Sequence, residues 1–422
     1  MKKMFTMLLM ALLPLGAMAQ SKSSRTAQAA KQEPITQVIE RGLKRAASQS
    51  LLLANSMKNH PDQLPQTYEH GELKTVRYDN WVSGFFPGVL WMLYDYTNDE
   101  QYRRLAHHFT EIVEPAKKLY NTHDIGFMLY CSFGQGYNLT AKQYYLDVIY
   151  EGTQNLLCRW NEDLGVFRSW DFGKQWQYPV IIDNMMNLEI LCFMSRQYDD
   201  PYYKEVAEIH AKNTLKHHFR DDFSSYHVVS YDTITGLPHA KNTAQGYSDN
   251  SAWARGQSWG LYGFTMIYRE TRNPIFLEQA RNIATFLMNH PRLPADKVPY
   301  WDYDAPGTEN GNCLRDASAA AIMASALIEL SQFDRTEMGP KWMELAEQQI
   351  RTLTSPAYLA EEGEQGGFIL KHGVGNMPAK NEVDVPLTYA DYYYVEALMR
   401  LKRLQSPALN GGGQGSGQAS RP

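Results

Sequence analysis

The sequence predicts an all-α protein that closes into an (α/α)6 barrel, a toroid of six helical hairpins. Two observations carry this prediction. Apolar residues recur at helical spacing along almost the whole chain, whereas strand-like alternation is scarce and is clearest at 226–231. One unit also repeats: an apolar helix rich in Gly or Ala, a short polar turn, and an amphipathic helix with an early aromatic residue.

Counting these units gives twelve helices, or six hairpins if the last helix pairs with the first. The turns inside the hairpins offer Asn, Asp or Thr as N-caps, and two of them place Pro at the start of the next helix. These turns are assigned to 96–99, 138–140, 198–201, 271–274 and 333–336. The predicted helices are 36–56, 84–96, 99–119, 125–136, 140–159, 183–197, 201–218, 253–270, 274–290, 315–332, 338–353 and 388–404.

The connections that lead into the apolar helices are long, at 57–83, 160–182, 219–252, 291–314 and 354–387. In a closed toroid these connections emerge at one end, where they deliver the chain to the N-termini of the inner helices. Loops on a rigid scaffold are where functional residues concentrate. Helix N-termini favour an anionic ligand, because their N–H groups are unpaired and the dipole is positive there. We therefore expect a site for a negatively charged ligand at this end.

The two ends of the chain lie outside the helical array. Residues 1–19 have a basic start, an apolar run and a small-residue ending, which is the pattern of a secretory signal peptide cleaved after Ala19. We assign 20–34 to an N-terminal extension, 35–406 to the barrel domain and 407–422 to a disordered tail rich in Gly, Ser and Gln. The protein is therefore expected to be periplasmic or secreted, with no membrane-spanning segment.

Composition excludes several kinds of partner. A formal charge of −5 argues against nucleic acid, so an acidic ligand would have to meet a few placed cations. Cys131, Cys158, Cys192 and Cys313 have no CxxC pairing and no metal-ligand spacing, and we expect buried free thiols. No motif for a cofactor or metal is found. The 27 Tyr and 9 Trp residues favour carbohydrate, since aromatic rings serve as stacking platforms as well as packing groups.

Asp124 and Asp183 are the candidate catalytic residues. Each is predicted at the N-terminus of an inner helix, where Asp is a favoured N-cap, so capping alone is the competing interpretation. In a toroid both residues face the same mouth. The helix dipole lowers the pKa of a capping carboxylate, whereas burial, a second carboxylate and a bound anion raise it. We interpret Asp183 as a general acid and Asp124 as its charged neighbour.

Arg255 and Trp259 are one helical turn apart, so a cation and an indole share one face of an inner helix. The fork of an Arg side chain suits a carboxylate, and a structural ion pair is its alternative role. Gln245 and His227 lie in the preceding connection and favour a polar site there.

Further candidates occupy the long connections and their ends. Trp81 and Trp170 are interpreted as stacking platforms at the rim, with packing against a loop as the alternative. Asp316 is expected to cap a helix, Asp384 to form a structural pair and Asp302 to hold a loop or a ligand hydroxyl.

Several ordered stretches match one enzyme family. The sequence resembles the unsaturated glucuronyl hydrolases, glycoside hydrolase family 88, over nearly the whole chain after residue 19. The matching stretches are Asp79-Asn80-Trp81, Gly84-Phe85-Phe86-Pro87-Gly88, His123-Asp124-Ile125-Gly126-Phe127, Asp183-Asn184-Met185-Met186-Asn187-Leu188, Gln245-Gly246-Tyr247-Ser248-Asp249, Trp253-Ala254-Arg255-Gly256-Gln257, Trp301-Asp302-Tyr303-Asp304, Arg315-Asp316-Ala317-Ser318 and Tyr389-Ala390-Asp391-Tyr392-Tyr393-Tyr394.

The resemblance implies an (α/α)6 barrel, in agreement with the helix count, and an enzyme acting on oligosaccharides released by polysaccharide lyases. Such substrates carry a 4,5-unsaturated uronic acid at the non-reducing end, and glycosaminoglycan fragments are expected among them. By resemblance, Asp183 protonates C4 of the vinyl ether and then activates water for attack at C5. Asp124 would hold a ring hydroxyl and help to keep Asp183 protonated.

The resemblance also assigns substrate contacts. Polar contacts to the uronate are expected from His123, His227, Gln245 and Arg255, and aromatic walls from Trp81, Trp170 and Trp259. The enzyme is expected to need no cofactor, to bind neither nucleic acid nor membrane, and to be a monomer or weak dimer. Two alternatives remain: an unsaturated rhamnogalacturonyl hydrolase acting on pectin fragments, and a non-catalytic sugar-binding protein on the same barrel.

Overall fold

A computed structural model describes residues 32–405, which contain twelve α-helices and nine short strands. The assigned signal peptide, the extension up to residue 31 and the tail lie outside the described residues. The helices are α1 (Ile35–Ser56), α2 (Phe85–Thr97), α3 (Glu100–Val113), α4 (Gln135–Thr140), α5 (Gln143–Leu157), α6 (Glu189–Tyr198), α7 (Pro201–His217), α8 (Ala254–Thr271), α9 (Pro274–Asn289), α10 (Ala317–Phe333), α11 (Met338–Leu353) and α12 (Thr388–Gln405).

Three inner elements begin with a different helical form. Short 3-10 helices at Trp81–Gly84 and Ile182–Leu188 precede α2 and α6, and a π-helix at Gly126–Gly134 precedes α4. With these segments included, six inner elements form a ring in which each contacts the next and α12 closes onto α2. Each inner element pairs with an outer helix, and α12 pairs with α1. The expected barrel of six hairpins is therefore confirmed, including the pairing of the last helix with the first.

Composition explains which helices lie inside. The inner α2 is apolar on every face, and α10 is rich in Ala and almost fully buried, as a helix surrounded by others requires. Glycine lets the inner elements approach closely. A methyl group at Gly263 would lie 2.4 Å from Cβ of Met185, and one at Gly84 would lie 2.1 Å from the carbonyl oxygen of Phe127.

The hairpin turns behave as their residues predict, with one exception. Asp99, Asp200 and Asn273 each accept a hydrogen bond from the backbone N–H two residues later, as N-caps do. The turn assigned to 138–140 is wrong, because α4 continues through Thr140, whose hydroxyl donates to the carbonyl of Gly136 at 2.6 Å. The left-handed residue that ends this helix is Ala141, with φ of 50°.

Every strand lies in one of the long connections, and all pairings are antiparallel. The strand expected at 226–231 is confirmed as β6, the central strand of a three-stranded sheet. These small sheets stiffen the loops at the N-terminal end of the inner helices. The strands are β1 (Leu64–Glu69), β2 (Glu72–Val76), β3 (Trp160–Asn161), β4 (Val166–Phe167), β5 (Pro179–Ile181), β6 (Val228–Tyr231), β7 (Pro238–Asn242), β8 (Gly373–Asn376) and β9 (Asn381–Val385).

The four cysteines are free thiols. Cys131 and Cys192 are buried as expected. Cys158 is exposed directly after α5, and Cys313, in the connection before α10, is partly exposed while packing against the core. Across residues 32–405, no helix combines the length and apolar character needed to cross a membrane. Within the same range, no group of three or more His, Cys, Asp or Glu side chains is arranged to hold a metal ion.

Candidate active site

A cavity of 560 Å³ opens among the long connections, at the N-terminal end of the inner helices. Seven of the nine predicted site residues line it, whereas His227 and Trp259 lie outside its lining. The lining residues are Trp81, Asn121, Thr122, His123, Asp124, Ser169, Trp170, Asp171, Phe172, Ile181, Asp183, Gln245 and Arg255.

Neither candidate carboxylate caps a helix, so the predicted N-cap role is wrong. Asp183 is the second residue of its 3-10 helix, after Ile182. Asp124 precedes its helix, but the side-chain oxygen of Asn187, not Asp124, accepts the N–H of Phe127, the second residue of that helix, at 2.9 Å. Asp124 instead accepts the hydroxyl of Thr122 at 3.2 Å. Because neither side chain caps a helix, both carboxylates remain available to a ligand.

Asp183 is the most perturbed acid in the cavity. Its side chain is buried, and its Oδ2 atom has no hydrogen-bond partner in the described part of the chain. Burial raises the pKa of Asp183 to about 7; the positive charge of Arg255 opposes this rise, and the negative charge of Asp124 adds to it. A carboxyl group with this pKa can both donate and accept a proton near neutral pH.

His227 lies beside Asp183 in a single tautomer. Its Nδ1 accepts the backbone N–H groups of Ala244 and Gln245, at 3.1 and 3.2 Å, so the proton of the neutral ring is on Nε2. Nε2 is 3.8 Å from Oδ2 of Asp183 and is buried without a partner among residues 32–405. Burial, followed by the charge of Arg255, lowers the pKa of His227 to about 3. The ring is therefore a neutral donor directed toward the site.

His123 has the opposite arrangement. Its Nδ1 is 2.7 Å from the carbonyl oxygen of Ser169, which only accepts, so this nitrogen carries a proton. Its Nε2 is 3.2 Å from Oδ1 of Asp124. Burial lowers the pKa of His123, while Asp124 acts against this change. Nε2 of the neutral ring is therefore an acceptor beside Asp124, and it is buried without a hydrogen-bond partner among residues 32–405.

Arg255 lies at the base of the cavity and is almost fully buried. Its Nη1 donates to Asp316 at 3.1 Å and to the carbonyl of Val374, and its Nη2 donates to the carbonyl of Gly375. Nη2 also donates to Oε1 of Gln245 at 2.8 Å. This contact orients the Gln245 amide, so its NH2 group is the end available to a ligand. The fork of Arg255 is thus engaged with the protein, as the alternative structural role predicted.

The three predicted tryptophans differ in depth. Trp81 lines the cavity and packs against Phe127 and Tyr389, with ring centroids 5.5 and 4.8 Å apart. Trp170 also lines the cavity. Trp259 is fully buried and is not a cavity wall, because its inner helix places it below the site. Its indole N–H lies close enough to Asp183 to favour the ionised carboxylate.

Weaker acidic candidates hold the site together. Asp302 accepts the N–H of Tyr247 at 2.9 Å and the hydroxyl of Ser251 at 2.7 Å, so it fixes the loop that carries Gln245. Asp316 caps α10, as expected, and pairs with Arg255. The predicted pair of Asp384 is with His372, at 2.7 Å.

Sequence reasoning missed several residues of the cavity, notably Asn121, Ser169, Asp171 and Phe172. They adjoin stretches that it did single out, because they flank His123 and Trp170 in the chain. An aromatic residue in a polar loop is a signal that could have identified Phe172. Nothing in the chain marks the backbone carbonyls that bind Arg255, since they come from β8, more than a hundred residues later.

Paired carboxylates, neutral donors and aromatic walls at the loop end of an α/α barrel define a carbohydrate-active enzyme. The family model for Glycosyl Hydrolase Family 88 matches residues 54–403. The chain therefore belongs to glycosyl hydrolase family 88 and is a glycoside hydrolase.

Individual relatives agree with this assignment. An unsaturated glucuronyl hydrolase of Formosa agariphila is 47% identical over 327 residues, covering 77% of this chain and 80% of that protein. A crystal structure of an unsaturated glucuronyl hydrolase specific for heparin matches with a TM-score of 0.84 and 44% identity, over 87% of this chain and 98% of the other. The glycosaminoglycan-degrading enzyme of Bacillus sp. GL1 matches with a TM-score of 0.79 and 29% identity, over 88% and 97%.

Proposed function

We propose that this enzyme removes the terminal 4,5-unsaturated uronic acid from glycosaminoglycan fragments produced by polysaccharide lyases. The proposal is supported by the relatives described as unsaturated glucuronyl hydrolases, one of them specific for heparin. The observation that carries it is the buried Asp183 carboxyl, with a pKa of about 7, in a cavity walled by aromatic rings. Export, as residues 1–19 indicate, would place the enzyme where such fragments arise.

Asp183 acts first as an acid and then as a base. It donates its proton to C4, and the π electrons of the C4=C5 bond form the new C–H bond, leaving C5 as an oxocarbenium centre. The Asp183 carboxylate then takes a proton from water as the water oxygen bonds to C5. The hemiketal opens to a C5 ketone, and the hemiacetal at C1 releases the next sugar as an alcohol. One water is consumed, and no covalent glycosyl enzyme forms.

The neighbouring residues have separate roles in this step. His227, whose tautomer is fixed, directs its Nε2–H toward Oδ2 of Asp183. This donor can stabilise the Asp183 carboxylate once it forms. Asp124 accepts a ring hydroxyl and supplies the negative charge that helps to keep Asp183 protonated. Gln245 donates its amide to the uronate carboxylate, because Arg255 has already oriented it.

Charge around the cavity favours the protonated acid when substrate binds. The lining contains three carboxylates, Asp124, Asp171 and Asp183, and one cation, Arg255. Asp316 balances the charge of Arg255, and Arg159 and Arg168 balance that of Asp171, so Asp124 and Asp183 remain. A uronate entering this site brings a further negative charge. Since a nearby anion disfavours ionisation of a carboxyl group, binding raises the fraction of Asp183 that can donate its proton.

The test is a panel of unsaturated disaccharides from heparin, chondroitin, hyaluronan and pectin, followed by loss of the ultraviolet absorbance of the C4=C5 bond. We expect wild type to consume glycosaminoglycan disaccharides and Asp183→Asn to leave them intact. Turnover of pectin fragments alone would instead support the rhamnogalacturonyl alternative. Binding of a disaccharide by both proteins, with turnover by neither, would reject the hydrolytic proposal.

The route is tested by running the reaction in D2O and examining early product by NMR. Protonation by a fixed Asp183 delivers one deuterium to one face of C4. Direct displacement at C1 releases the unsaturated uronate intact, and its later tautomerisation in solution labels both faces. A mixture of the two C4 epimers at the earliest times would therefore contradict the proposed hydration.

A further inference from the structure

Phe172 is a large exposed aromatic side chain within the cavity, and the proposed reaction gives it no role. It is 66% exposed. One face packs on Trp170, with ring centroids 4.9 Å apart and planes at 17°, while the ring remains largely open to solvent. Phe172 shares the cavity with Asp183 but lies nearer the solvent. An apolar surface held open at the mouth of a polar cavity is a feature of ligand recognition.

Asp171, the residue before Phe172, is held in place by ion pairs. Both oxygens of Asp171 accept from Arg159, at 3.1 Å each, and Arg168 Nε lies 3.1 Å from Oδ1 of the same carboxylate. Arg159 is itself buried, and it also donates to the carbonyls of Arg168 and Tyr120. Such a bidentate pair fixes geometry as well as adding energy. The backbone that presents Phe172 is therefore anchored directly to the barrel.

The residue after Phe172 fixes the direction of the chain. Gly173 has φ of 87°, in the left-handed region that favours glycine, and a methyl group there would lie 2.4 Å from the ring of Trp176. The loop thus turns sharply around Trp176, whose ring lies 5.3 Å from that of Trp170. Phe172 stands between an ionic clamp and a turn that requires glycine, which is the support a positioned side chain needs.

We infer that Phe172 is the stacking platform for the second sugar, the ring attached to the unsaturated uronate, and that Asp171 positions it. This inference rests on the proposed function. The uronate fills the deep part of the cavity beside Asp183, so the ring attached to C1 leaves through the mouth, where Phe172 is exposed. Apolar C–H groups of a sugar ring pack on an aromatic face.

The experiment compares two substrates on the full-length enzyme. One is an unsaturated disaccharide with a hexosamine at the second position, and the other is the methyl glycoside of the same unsaturated uronate. We define the aglycone ratio as kcat/KM for the disaccharide divided by kcat/KM for the methyl glycoside. Phe172→Ala should lower this ratio about fivefold, the size expected for loss of one stacking contact. Phe172→Tyr keeps the ring and should preserve the ratio.

Two further variants distinguish loss of the stacking surface from a general effect on the fold. Asp171→Asn keeps Phe172 but weakens its clamp, and it should lower the aglycone ratio twofold or more. Ile234→Ala removes an apolar side chain that is even more exposed, at 91%, from the turn between β6 and β7 and should leave the ratio unchanged. A wild-type ratio in Phe172→Ala would overturn the inference. If wild type consumes neither substrate, the proposed function fails instead, so the two failures are distinct.

Discussion

The two ends of the barrel both bury charged residues, but they treat them differently. Toward the C-terminal ends of the inner helices, Arg269 and Arg400 both donate to Glu329, at 2.7 and 2.9 Å. Arg400 also donates to the hydroxyl of Tyr262 at 2.9 Å, and that hydroxyl contacts Glu396. We call these five residues the Arg269–Arg400 network. Tyr262 is buried, the four charged side chains are 13–26% exposed, and each of the five has a partner, as charges largely withdrawn from water require.

At the opposite end of the barrel, where the long connections lie, several buried polar atoms around the cavity have no hydrogen bond. Within residues 32–405 they include Oδ2 of Asp183, Nε2 of His227, Nε2 of His123 and Nε1 of Trp259. An unsatisfied buried polar atom costs about 1–3 kcal/mol. Such atoms in one cavity mark the place where a ligand completes the structure. Buried polar atoms without partners also occur elsewhere among residues 32–405, such as Nε2 of His210 and Oε1 of Gln349. The comparison therefore teaches that neither burial nor a missing partner identifies a site alone, whereas several such atoms gathered at one cavity do.

The largest expected effect is the loss of activity when Asp183 is replaced, compared with replacement of another buried acid of similar pKa. Asp183→Asn should lower kcat/KM by about a thousandfold, since a general acid and base contributes 10²–10⁴-fold. Steady-state kinetics on an unsaturated disaccharide measures this. The matched variant is Asp391→Asn. Burial also raises the pKa of Asp391, to about 8, yet its oxygens accept the N–H groups of Ile369 and Leu370.

Asp391 lies outside the cavity lining, and its carboxylate has partners. Its replacement should lower the melting temperature while the folded enzyme keeps its kcat/KM. Equal loss of activity in both variants would contradict the comparison, because a buried acid with a raised pKa would then affect catalysis whether or not it lies in the cavity.

The second prediction concerns the other end of the barrel. Glu329→Gln removes the negative charge between Arg269 and Arg400 and should lower the free energy of unfolding by about 3 kcal/mol. Urea denaturation measures the loss, and the kcat of the folded fraction should match wild type. A specific loss of activity, without loss of stability, would show that the Arg269–Arg400 network acts on the site rather than on the fold.

The third prediction tests the fixed tautomer of His227. His227→Ala removes the donor near Asp183 and should lower kcat about 30-fold, the range for a hydrogen bond to a charged group. His227→Gln retains a neutral N–H donor and should recover part of this loss. Because the ring of His227 stays neutral above pH 3, it adds no titration of its own. Loss of its N–H donor should instead raise the pKa of Asp183 and move the pH dependence of kcat/KM upward, by less in His227→Gln than in His227→Ala. An unchanged pH dependence in His227→Ala would mean that His227 does not stabilise the Asp183 carboxylate.

Much of the fold was predictable because its signals are local. Helix α7 was predicted at 201–218 and is observed at Pro201–His217, since Asp200 caps it and Pro201 opens it. The 3-10 and π starts of inner elements were not predictable. They depend on contacts between elements, such as the bond from the Phe127 N–H to Asn187. The local sequence pattern indicates neither which group a side chain will contact nor how deeply it will be buried.

The site shows the same difference between features that local sequence predicts and features that depend on contacts between elements. Residue types and spacing identified Asp124, Asp183 and Arg255, and the structure places all three in one cavity. The depth of Trp259 could not be predicted, because it depends on packing against the rings of Phe127 and Tyr393, which lie on other elements. The tautomer of His227 depends on backbone N–H groups in the next loop. Such tertiary contacts decide which polar atoms stay without partners, and so which residues are free to act.

The smallest expected effect is on stability, and it sharpens the comparison directly. The pKa of Asp183 is about 7 in the folded protein and near its ordinary 3.8 when unfolded, so the native state holds this proton more tightly. Stability from this group is complete below pH 4 and is lost as pH rises through 7. Asp183→Asn cannot ionise, so relative to wild type it should gain about 1 kcal/mol between pH 6 and 7. Denaturation at both pH values measures the gain, and Asp163→Asn, exposed between β3 and β4, is the control. Since the gain requires an ionised carboxylate without adequate partners, its absence would mean that the loop end satisfies Asp183 as fully as the Arg269–Arg400 network satisfies Glu329.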